Sequence, residues 1–170
     1  MTLMEQMMVV VVLGITSSIA IGTGRADRDQ LQLDSAARRL QLGLNRARSM
    51  ARREQRPCGI SLDQQGWNAP DPDPVPGALR PCTSSGVSLQ EVVDQGPVVL
   101  HTNLPAVLRV AANGLLLDGG IAVVSHQRLS TARCLVVSLP LGVSRIGLYR
   151  HPLPSQGAPL LSGRCRPDDT

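Results

Sequence analysis

A single glutamate, Glu5, interrupts a run from Met1 to Gly24 that holds no other ionisable side chain. A carboxylate in a bilayer-length apolar segment costs about 2.5–3.5 kcal/mol on insertion scales, so it persists where a cation answers it. The natural candidate is an N-terminal amine, its own or that of a neighbouring chain, which makes Glu5 an ion-pairing group for assembly. Four cysteines, Cys58, Cys82, Cys134 and Cys165, all follow that run at spacings that fit neither C-x-x-C nor a zinc pattern. They are disulfide candidates, which places them in an oxidising compartment, and three pairings are open. His101, His126 and His151 fall near the ends of apolar runs, where a solvated or satisfied imidazole is commoner than a base. G-x-S-x-G, P-loop, dinucleotide and H-E-x-x-H patterns are missing, so no catalytic residue, metal ligand, cofactor or small-molecule substrate is expected.

The charge comes from arginine alone. All 17 basic residues are Arg against 13 acids, a net charge of +4. Phe is absent and Trp67 and Tyr149 are the only aromatics, so the core must be Val, Leu, Ile and Ala, which favours β-branched strands. A basic surface suits anionic partners, but a charge run along an amphipathic helix most often serves solvation.

These residues need three elements to position them. Residues 1–24 are long enough, at about 36 Å as a helix, to cross a hydrocarbon core of about 30 Å. A cleaved secretory signal is the rival, yet neither a basic start nor an Ala-x-Ala site is present. Residues 25–56 repeat Leu33, Ala37, Leu40, Leu44, Ala47 and Ala51 at three- and four-residue steps, the pattern of a helix with one core-facing stripe. No proline precedes Pro57, so anchor and stripe are expected to form one helix. Residues 57–170 are expected to be a β-rich domain with a proline-rich surface loop over 66–87. Its strands are predicted over 98–101, 106–111, 115–117, 121–125, 134–139 and 143–149, with Asn113-Gly114 and Asp118-Gly119-Gly120 as hairpin turns. The fold class is α+β: a long N-terminal helix, membrane-spanning in its first half, packed on a small antiparallel sheet.

Met1-Thr2-Leu3-Met4-Glu5, followed by Met8 to Leu13, Gly14, Ile15 and Ala20, resembles the start of processed type IV pilins. Met1 stands where phenylalanine is usual, and the family's basic, glycine-ended leader does not precede it. That departure fits numbering from the mature residue or a start assigned too late. Residues 44–53, Ile60-Ser61-Leu62, Asn113-Gly114, Arg133 to Ser138 and Gly142 to Arg145 are similar to segments of the GspH/FimT minor pilins and pseudopilins. The resemblance implies a prepilin peptidase, N-methylation at Met1 and a Glu5 that guides docking. It also implies membrane lipid and other pilins as partners, with the domain on the periplasmic side of a bacterial inner membrane. The implied work is filament initiation or assembly for type II secretion or a type IV pilus. Some members bind DNA through Gly-Arg-x-Arg. Gly163-Arg164-Cys165-Arg166 matches those letters and Gly142 to Arg145 matches the usual place, which makes Arg145, Arg150, Arg164 and Arg166 DNA-contact candidates for uptake in transformation.

Overall fold

The computed structural model describes residues 3–70, 79–82, 86–90, 97–150 and 159–167, with the side chains of residues 3, 5, 9 and 13–25 outside that description. One helix, α1, runs from Leu3 to Glu54, 52 residues and so about 78 Å long. The expected stripe is the buried one: Leu33, Ala37, Leu40, Leu44, Ala47 and Ala51 are all buried, joined by Ala36. The helix stops two residues earlier than Pro57 alone would require. Gln55 takes a left-handed φ of 49°. Gln55 N–H donates to Arg52 O at 3.3 Å and Arg56 N–H to Ala51 O at 3.2 Å, the paired bonds of a Schellman cap.

Two antiparallel sheets, rather than the single one expected, pack against α1. The first has order β3-β2-β1-β5, from β1 (Cys58–Asp63), β2 (Gly66–Asn68), β3 (Val87–Ser88) and β5 (Leu108–Val110). The second has order β4-β6-β7-β8-β9, from β4 (Val98–Thr102), β6 (Gly120–His126), β7 (Ala132–Ser138), β8 (Val143–Tyr149) and β9 (Cys165–Arg166). The Asn113-Gly114 turn forms as expected and returns the chain so that Val110 bridges Leu116. Asp118-Gly119-Gly120 does not make a hairpin. Asp118 instead holds Arg109, and the chain crosses to the other sheet, where β6 pairs with β4 and β7.

The loop expected over 66–87 is also partly structured. Residues 71–78 and 83–85 lie outside the described residues, but Gly66–Asn68 is a strand because Trp67 is the largest side chain of the core and is fully buried on α1. Its indole N–H donates to Leu40 O at 2.8 Å. Gly43 makes this approach possible, since a Cβ there would collide with the indole.

The sheets are stitched at their edges. The Gln64 amide accepts from Leu100 N–H at 3.0 Å and donates to Leu100 O at 2.7 Å, completing the β4 edge as a neighbouring strand would. Gln90 donates to Val98 O at 3.0 Å on the same edge. One core lies between α1 and both sheets; a smaller one, with Ile121, Val123, Val136 and Tyr149, lies on the outer face of the second sheet.

Candidate interaction sites

The N-terminal half of α1 stands clear of the domain. Met4, Met7, Met8, Val10, Val11 and Val12 are 56–78% exposed. A run of apolar side chains at that exposure is far outside what water tolerates on a folded surface. Among the described residues no helix is long and apolar enough to cross a membrane. Most of the segment expected to span, residues 13–24 with Glu5, has side chains outside the description, and Met1 lies outside the described residues altogether. Further along the helix, Leu31 and Leu42 are exposed on one face, three turns apart.

Where α1 meets the second sheet, charges fix its position. Arg128 donates to Asp29 through Nε at 2.8 Å and Nη2 at 2.6 Å, and Arg133 Nε donates to Asp34 at 2.7 Å. His126, fully buried, sets Nε2 3.7 Å from Asp29 Oδ1 and accepts from Arg128 N–H through Nδ1 at 3.3 Å. Hydrogen bonding from Arg128 holds the Asp29 carboxyl below the usual range, while burial pushes His126 down and only part of that is offset by Asp29. A neutral, packed imidazole is thus a strut between helix and sheet. Sequence reading had no signal for this trio, because Asp29 and Arg128 lie 99 residues apart. His101 is half-buried and its basicity is lowered by burial; His151 lies outside the described residues.

All four candidate cysteines are bonded. Cys58 joins Cys82 and Cys134 joins Cys165, with Cα atoms 4.9 and 5.9 Å apart. By chain entropy, loops of 24 and 31 residues correspond to about 3–4 kcal/mol each. The second bridge secures β9 and the C-terminal arm over the smaller core.

The four candidate DNA-contact arginines are only partly gathered. Arg150 N–H donates to Arg164 O at 3.0 Å, and Arg166 pairs across from Leu148, so three of them share the β8–β9 edge. Arg145, opposite Val136, lies on the outer face further along β8. Beside α1 an open groove of about 230 Å³ is lined by Arg28, Leu31, Gln32, Ser35, Leu89, Gln90 and Val98; among the described residues no histidine or carboxylate lines it to activate the Ser35 hydroxyl. Among the described residues no three His, Cys, Asp or Glu side chains converge on a metal position.

At the far end of α1 the family-like segments meet. Arg52 Nε donates to Asn113 O at 2.9 Å, and Gly114, at a φ of +78°, leaves the room that the Arg52 side chain fills. Arg109 closes this end with bonds to Asp118 at 2.7 and 3.0 Å, which keep that carboxyl well ionised.

No curated protein and no solved structure matches the chain. The family described as type II transport protein GspH matches residues 36–140, from the core-facing stripe of α1 to the end of β7, and so more than half of the 170 residues. With its long helix laid on antiparallel sheets and that match across both, the chain belongs to the GspH family, a family of pilin-like pseudopilins of type II transport.

Proposed function

We propose that this protein is a minor pseudopilin, a structural subunit rather than an enzyme, that enters a pilin-type filament through the N-terminal half of α1. The observation that carries this reading is the set of bare apolar side chains Met4, Met7, Met8, Val10, Val11 and Val12 on a helix whose other half buries a stripe in its own domain. Such a surface calls for lipid before assembly and for sister helices after it. Residues 1–24 then act as a single-pass anchor in the inner membrane. The two disulfides support a domain on the periplasmic side. Met1 is the site for peptidase processing and N-methylation, and the Glu5 carboxylate answers the amine of an adjacent subunit. The filament serves type II secretion, with assembly of a type IV pilus the nearest variant.

The test is Glu5→Ala in the full-length chain. Membrane insertion should be retained while incorporation into the filament falls; normal incorporation would remove the role given to Glu5.

A second reading, a pilus-associated DNA receptor for transformation, is favoured by the gathering of Arg150, Arg164 and Arg166 on one edge. With so few aromatic residues it would hold phosphates rather than stack bases, so affinity for duplex DNA must fall steeply with salt. If Arg150, Arg164 and Arg166 to Ala leaves that affinity unchanged, this reading is lost.

A further inference from the structure

The end of the domain farthest from the anchor carries an apolar patch that neither α1 nor the sheets cover. The return after Gly114 buries Leu116 and turns Leu115 and Leu117 outward. The β7–β8 turn adds Leu139, Leu141 and Val143, with Leu141 70% exposed. These residues sit on firmly held backbone. Gly142, at a φ of +60°, packs so closely on Leu116 that a Cβ would lie 2.8 Å from its nitrogen, and a Cβ at Gly119 would lie 3.0 Å from Leu139 Cγ. Two turns are thereby locked into one surface.

Its rim is cationic. Arg52 lies over Gly114, and Arg145 follows Val143 by two residues on the same face of β8, exposed. Arg48, one helical turn before Arg52, keeps a buried Nε that has no hydrogen-bond partner among the described residues. Among the described residues the nearby acids are already engaged: Asp118 holds Arg109, and Glu54 lies 3.8 Å from Arg80. An aliphatic centre with arginines at its edge matches the anatomy of a protein interface, and charge complementarity selects a partner whose rim is acidic.

We propose that this distal patch docks an acidic protein surface, an aliphatic projection flanked by Asp or Glu, and, resting on the pseudopilin reading, that the partner is another subunit of the same filament. A second copy is a poor match, because it would bring Arg52 and Arg145 toward like charges on a chain of net charge +4. Nucleic acid would satisfy the arginines and leave the leucines bare.

The experiment titrates the full-length chain in detergent micelles with the soluble domains of other pilin-like proteins of the same organism, each in turn. One of them should bind. Leu141→Asp should weaken it by about tenfold or more, as removal of a central anchor does. Arg52→Gln should weaken it less and flatten its salt dependence. Leu141 is exposed, so Leu141→Asp should hardly change thermal stability, whereas Arg52→Gln also loses the bond to Asn113 O and should lower it slightly. The proposal is overturned if none of the domains binds, if Leu141→Asp leaves the affinity intact, or if the patch proves to mediate only self-association or duplex-DNA binding. Crosslinking of the anchor helices to one another in the same preparation separates the two levels. If it persists while the tip binds nothing, the filament reading stands and this patch assignment falls.

Discussion

The two halves of α1 are one continuous helix built on opposite rules. From Leu33 to Ala51 a stripe of apolar residues recurs at helical spacing, faces two sheets and is buried, and the arginines with Leu42 take the water side. Toward the start of the helix apolar residues occupy adjacent positions, as Val10, Val11 and Val12 do, and these three are exposed together with Met4, Met7 and Met8. A helix apolar on every side has no single partner within its own fold. The domain thus completes the second half, whereas the described side chains at the start of the first are left exposed.

That contrast can be broken most forcefully at the packed half. Trp67→Ala removes the largest core side chain and the bond to Leu40 O; it should destabilise the domain by about 3–5 kcal/mol in denaturant titration, with membrane partitioning unchanged. An equal loss of partitioning would show that the halves are not independent. Next in size, Cys134→Ser with Cys165→Ser should cost about 3–4 kcal/mol and increase proteolysis of the C-terminal arm.

Acidification should loosen the contact between α1 and the second sheet. His126 is neutral when folded because burial lowers its proton affinity, so the unfolded chain takes up a proton first as the pH falls through 6.5, and stability declines below that point. Asp29 adds a second decline: its carboxylate stabilises the fold above 3.8, and that contribution disappears as pH falls through its lowered value. Thermal melts from pH 8 to 3 should show both phases, and His126→Gln should remove the first. A profile flat between pH 7 and 5 would place His126 in a different environment.

The smallest expected effect sits at the end of the packed half. Gln55 holds a left-handed φ of 49° that glycine adopts without strain, so Gln55→Gly should raise stability by about 0.5–1 kcal/mol.

Much of this was legible before any coordinates, for physical reasons that differ by element. The buried stripe of α1 could be read because a helix repeats every 3.6 residues and core contact leaves that period in the sequence. Strands β4, β6, β7 and β8 were visible as β-branched runs. The second sheet boundary was not, because Asp118-Gly119-Gly120 spells a turn whether the chain doubles back or crosses over; only the bond from Arg109 to Asp118 decides it. Strand β2 was hidden by its proline-rich surroundings, and the cue that remained was Trp67, a residue too large to leave in water. The distal patch was obscured because Leu115, Leu117 and Leu139 read as strand residues, and their exposure depends on two turns packing on each other. The disulfide partners, like the Asp29, His126 and Arg128 cluster, follow from tertiary placement alone.

The central claim, that the bare half of α1 is covered by other subunits, is tested most directly by a photoreactive side chain at Val11 in the full-length chain, activated in intact cells. Adducts with other pilin-like subunits and with lipid are expected. Recovery of the chain unattached to either, free in solution and with its thiols reduced, would contradict it.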